Sequence, residues 1–127
     1  MNMEARAIRK HIRSSPRKMR TVINLVRGKT VADALSILHY QPHRITRPVE
    51  LTIQSAVYNL MDRNPDDRFE EDDLVVKEIR ADEGVRMKRF RPVSRGRAHP
   101  VLKRSCHLTV VVATTGETEE EQPEEGA

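Results

Sequence analysis

Three runs of apolar residues at helical spacing lie between segments that alternate like strands. Met3 to Ile12 alternates imperfectly, with Ile8 and Ile12 on one side among basic residues, and predicts a short, half-buried strand. Ser14, Ser15 and Pro16 then form a helix start, Ser15 as N-cap and Pro16 at the first helical position, where its missing N–H is no loss. Met19, Val22, Ile23 and Val26 share one face of that helix while Arg17, Arg20, Asn24 and Arg27 point elsewhere, and Gly28 is expected to close it as a C-terminal cap. Thr30 with Asp33 three residues on, a variant of the capping box, opens a second helix. Val31, Ala34, Leu35 and Leu38 form its apolar stripe, and Gln41-Pro42 ends it. A third helix is carried by Ile45, Val49, Ile53, Ala56 and Leu60. Pro48 would be costly in its interior, so the regular helix is expected to begin near Arg44 to Arg47, leaving Pro48 in the first turn.

Beyond this helix the pattern changes. Asp62 to Asp73 holds seven acids and Asn64-Pro65, and reads as an exposed loop. Leu74 to Ala81 reads as a strand, and Cys106 to Ala113 (CHLTVVVA) is the strongest strand signal in the chain. Both want a core-facing side, so an antiparallel pair is the simplest connection. The segment between them, Glu83 to Ser105, is too long for an ordinary connection. Pro92 and Gly96 bracket Val93, Ser94 and Arg95 as a hairpin tip, and Val85 to Arg91 and Arg97 to Lys103 serve as its arms. Arms of about seven residues reach roughly 20 Å beyond the sheet at ~3.3 Å per residue. An isolated two-stranded ribbon is marginal in water, so it is expected to gain order from a partner. The less specific alternative is a flexible basic loop with loose electrostatic affinity.

With 127 residues, 37% apolar and 33% charged, the chain supports one domain with a small core. Residues 1–115 are expected to form that single globular domain, including the extended hairpin 83–105. The segment 116–127, with six Glu and no Lys or Arg, has the composition of a disordered acidic tail. There is no Trp, and Tyr40, Tyr58, Phe69 and Phe90 are the whole aromatic complement, which argues against a large ligand pocket or an aromatic base-stacking platform. No apolar run approaches a membrane span or the apolar stretch of a signal peptide, so a cytoplasmic protein with no membrane partner is expected. The lone Cys106 agrees with a reducing compartment.

Dividing the charge along the chain sharpens this reading. The overall +4 includes the acidic tail; residues 1–115 carry all 23 basic residues against 13 acidic ones, a net +10. Arg6 to Lys29 holds nine cations and Arg86 to Arg104 eight, neither with an acid. Such clustering points to a polyanion, first of all a nucleic acid, with an anionic membrane surface or an acidic protein as alternatives. Arg17 and Lys18 sit at the positive end of a helix dipole, an arrangement that makes sense around an anion bound by backbone N–H groups after Ser15. Two ordinary exposed cations are the plainer reading of the same pair. Nothing in the sequence suggests catalysis: there is no Walker loop, GxSxG, HExxH or CxxC. His11, His39, His43, His99 and His107 lack ligand spacing, and Cys106 opens an apolar strand as a small buried hydrophobe would. No cofactor and no metal are expected.

SSPRK (14–18) leading into LVRGK (25–29), KEI (77–79) with DEG (82–84), MKRFRP (87–92), GRA (96–98) and KRSCHLTVVV (103–112) follow one another over residues 3 to 113. In these motifs the chain resembles the family of the twenty-second protein of the bacterial large ribosomal subunit. The resemblance implies an α+β fold, three helices packed on a three-stranded antiparallel sheet with a long projecting β-hairpin. It implies a structural constituent of the large ribosomal subunit, not an enzyme, that binds large-subunit rRNA and supports early assembly while its hairpin lines the nascent-peptide exit tunnel. Its partners would be large-subunit rRNA, other large-subunit ribosomal proteins and the nascent peptide at the hairpin tip, with no homo-oligomer. The candidate RNA-binding positions are then Arg9, Arg13, Ser15, Arg17, Lys18, Arg20 and Lys29 in the first cluster. In the insert they are Lys88, Arg89, Arg91, Arg95, Arg97, Lys103 and Arg104. The tunnel-lining tip would be Arg91, Pro92, Val93, Ser94, Arg95 and Gly96. Val93 stands where the family commonly has a basic residue after the tip proline, and Arg91 and Arg95 are placed to compensate. A free-standing basic RNA- or DNA-binding protein is the alternative; it would share the charge but not require the long paired insert.

Overall fold

The computed structural model describes residues 3–66 and 69–114. The acidic segment 116–127, read above as a disordered tail, lies outside the described residues. Strand β1 (Glu4–Ile12) leads into helices α1 (Pro16–Ile23), α2 (Val31–Tyr40) and α3 (Thr46–Arg63). A 3₁₀ turn (Glu71–Asp73) precedes β2 (Leu74–Glu83), the hairpin strands β3 (Met87–Pro92) and β4 (Ala98–Lys103), and β5 (Cys106–Thr114). The main sheet is antiparallel in the order β1-β5-β2, and β3 pairs with β4 as a separate ribbon. This is the expected α+β architecture, with helices on one face of the sheet and the hairpin inserted between two of its strands.

The caps form where the sequence places them. The Ser15 side chain accepts the Lys18 amide at 3.3 Å, with Pro16 at the first helical position, and Thr30 accepts the Asp33 amide at 3.3 Å. Pro48 is the third residue of α3, so its missing N–H belongs to a group that has no intrahelical partner in any case. Val49, Ile53, Ala56 and Leu60 are fully buried against the sheet and α2. On β5, Cys106, Leu108, Val110 and Val112 point into the same core, and their register neighbours include Ala5, Ala7, Ile79 and Ala81. Small residues on β1 let α3 lie close over it. Among the described residues no helix is long and apolar enough to cross a membrane.

Two local expectations are corrected. Ile8 and Ile12 do not share a side: Ile12 is buried, whereas Ile8 is 47% exposed and Ala5 and Ala7 face the core. The register between β1 and β5 shifts between Arg9 and Ile12, with His11 at φ 61°, and this bulge returns Ile12 to the inner face. Gly28 does not cap α1 either. The helix ends at Ile23 and tighter turns follow, the Leu25 and Val26 amides donating to the Val22 and Ile23 carbonyls, so that Val26 stays buried beyond the helix. Gly28, at φ +77°, instead donates to the Val76 carbonyl, and the Val76 amide donates to Lys29, which fastens this turn to β2.

The base of the hairpin is clasped. The Gly84 amide donates to the Ser105 carbonyl at 2.9 Å and the Ser105 hydroxyl to the Val85 carbonyl at 2.8 Å. A methyl on Gly84 would stand 2.7 Å from that hydroxyl, so any side chain there displaces the clasp. At the tip, Arg95 and Gly96 both have positive φ (62° and 71°), closing the three-residue connection between Val93 and Arg97.

Candidate nucleic-acid interface

The β1 bulge turns the end of that strand toward the start of α1, the start of α3 and the hairpin base. Between them lies an open cleft of ≈ 820 Å³ lined by Arg9, Lys10, Arg13, Lys18, Arg44, Lys103 and Arg104, with no carboxylate among its lining residues. Ile12, Ile45, Pro48 and Leu102 supply its apolar lining. Arg9 pairs with Leu108 on the helix-covered side of the sheet; a cation there makes sense only at the rim, where it opens into the cleft. The His11 amide donates to His107 Nδ1 at 3.1 Å and the two rings meet edge to face at 5.0 Å, which holds the bulge in its left-handed conformation. Arg13 donates to the Arg104 carbonyl at 2.7 Å and ties the cleft wall to the hairpin base. Seven like charges around one cavity repel one another, a standing cost that a bound polyanion removes.

A smaller cavity of ≈ 350 Å³ adjoins the cleft through Ser15 and Arg104, and it is lined also by Pro16, Arg17, Arg20 and Glu83. Here Arg20 and Arg104 have structural duties. Arg20 donates to the Ala81 carbonyl at 3.0 Å, and Glu83 pairs with Arg86 and, at 3.9 Å, with Arg104. The structure thus brings Arg9, Arg13, Ser15, Lys18, Lys103 and Arg104 together, and sets Arg17 and Arg20 beside them. Lys88, Arg89, Arg91, Arg95 and Arg97 project along the ribbon. Lys29 is not in the cluster; it lies beside Val76, on the turn that follows α1.

Sequence reasoning missed Arg44 and did not single out Lys10. The signal for Arg44 was modest but present: the HRITR stretch (43–47) carries two cations and no acid just before the third helix. Cys106 is fully buried, and burial pushes its thiol above the ordinary range while Arg20 pulls it down, so it is held as a neutral core group. Among the described residues no three His, Cys, Asp or Glu side chains are grouped to hold a metal.

Comparison with known proteins adds an independent line. Residues 7–113 match the family described as Ribosomal protein L22p/L17e. The chain is similar to the large ribosomal subunit protein uL22 of Salinibacter ruber, 58% identical over 125 residues that cover 98% of this chain and 99% of the relative. The protein of the same name from Chlorobaculum tepidum is 49% identical over 87% of this chain and 92% of its own length. That from Desulfitobacterium hafniense is 48% identical over 86% and 93%.

Proposed function

Since the chain belongs to the ribosomal protein L22p/L17e family, we propose that it is a structural component of the large ribosomal subunit, holding large-subunit rRNA in its seven-cation cleft and along its projecting ribbon. The observation that carries this reading is the carboxylate-free cleft at the root of the hairpin, where three distant parts of the chain deliver cations to one cavity. The family is one of ribosomal structural proteins and not of enzymes.

In this reading residues 1–115 act as one RNA-binding domain and work in the bacterial cytoplasm. The globular part anchors on rRNA during early assembly and the ribbon enters a cavity walled by phosphates. The strands β3 and β4, six residues each, span roughly 20 Å at ~3.3 Å per residue, enough to carry the tip well away from the core. Arg91 to Gly96 then line the nascent-peptide exit tunnel beside another ribosomal protein, where the tip meets the nascent peptide. The protein acts as a single copy and not as a homo-oligomer.

Sedimentation of a lysate containing the tagged full-length chain tests this directly. Nearly all of it is expected with large subunits, retained through a moderate-salt wash. Recovery at the top of the gradient, with free RNA or DNA fragments, would instead support the free-standing nucleic-acid binder.

A further inference from the structure

Register sorts the ribbon's side chains onto two chemically different faces. Directly opposed residues share a face, so Arg89, Arg91, His99 and Lys103 fall on one side, with Met87 and Val101. Phe90, Pro92, Ala98, Pro100 and Leu102 fall on the other, where Lys88 is the one charged residue. The Val93 amide donates to the Arg97 carbonyl, and counting back from this pair in alternation puts Phe90–Pro100 and Pro92–Ala98 at non-hydrogen-bonded positions. Neither proline therefore removes a bond from the ladder, and the two side chains of each such pair stand close together. Phe90 is 77% exposed and Leu102 38%, so this apolar strip is uncovered. Leu102 also lines the seven-cation cleft, which makes the strip continuous with Ile12, Ile45 and Pro48 on the cleft wall.

We propose that this face is a platform for unpaired RNA bases, with a base laid on the Phe90–Pro100 pair while the opposite face neutralises phosphates. The inference rests on the RNA-binding reading above and adds to it a division of labour between the faces. A nucleotide matches the surroundings of the strip because it brings a flat apolar ring together with an anion that Lys88 and the cleft cations can meet. An apolar protein segment would desolvate those cations without a partner. The poverty of aromatic residues excludes a row of stacking positions but not a single one. Phe90 has the exposure that a stacking ring requires.

The test uses the full-length chain with two probes, a short oligouridylate and an abasic strand of equal length and charge. The unaltered protein should prefer the oligouridylate by roughly 5- to 100-fold, the range one stacked base supplies. Phe90→Ala should remove at least about fivefold of that preference and leave the salt dependence of binding unchanged, and Phe90→Tyr should restore it. Arg91→Ala, on the other face, should keep the preference and reduce the slope of log K against log salt by about 0.7. A Phe90→Ala protein with undiminished preference would overturn the platform while leaving the RNA-binding reading intact, and would turn the strip toward a protein partner. Failure of the unaltered chain to bind either strand would overturn both.

Discussion

Ile53→Asp is expected to abolish cooperative folding or leave it barely measurable. Ile53 is fully buried at the middle of α3, which lies over β1 and β5. The substitution removes an apolar side chain whose burial contributes about 2–3 kcal/mol and places in the same site a carboxylate with no basic partner in the surrounding core. Even after the carboxyl takes up a proton the cost is several kcal/mol, against a total stability of about 5–15 kcal/mol for a domain of this kind. Arg91→Ala, on an exposed strand of the ribbon, is expected to change stability by no more than about 0.5 kcal/mol. Thermal unfolding followed by circular dichroism compares the two. Should Arg91→Ala prove the more damaging, the division between an apolar core that folds the chain and a cationic ribbon that binds would be wrong.

Replacing residues 87–103 by a two-residue turn is expected to do the opposite, sparing the fold and weakening binding. The β2–β5 ladder runs on to Glu83 opposite Cys106, and the clasp between Gly84, Val85 and Ser105 closes it without help from the ribbon. No fully buried residue lies in the excised stretch. The excision removes six cations, Lys88, Arg89, Arg91, Arg95, Arg97 and Lys103. With about half of them on phosphates, and each contact contributing roughly 0.7 to 0.9 to the slope of log K against log salt, the slope should fall by about 2 to 3. The cleft keeps Arg9, Lys10, Arg13, Lys18, Arg44 and Arg104, so binding to cognate RNA should persist at low salt. A shortened protein with the full slope would remove the ribbon from the interface.

Local order was legible wherever it rests on neighbours in sequence. The Ser15 and Thr30 caps, the position of Pro48, the apolar stripe of α3 and a tip bracketed by Pro92 and Gly96 all follow from side chains within a few residues of one another. The β1 bulge was not legible, because the shift that exposes Ile8 and buries Ile12 is imposed by pairing with β5 and by the His11–His107 contact, nearly the whole chain away. Gly28 was misassigned for a similar reason: its amide is taken by Val76 on β2 rather than by the helix it follows. The charge clusters named most of the candidate interface. Their arrangement was hidden, since Arg44 reaches the cleft only through the packing of α3 beside β1, and the structural duties of Arg20 and Arg104 depend on carbonyl and carboxylate partners on other strands.

Ultraviolet cross-linking of isolated large subunits, followed by identification of the RNA-bearing peptides of this chain, tests the cleft and ribbon as one interface. Cross-links are expected in the stretches 9–18, 43–48 and 87–104, with the acidic turn Glu71–Asp73 and the neighbouring face of α2 free of them. RNA attached mainly to α2 and that acidic turn, with the cleft and ribbon peptides unmodified, would contradict the account.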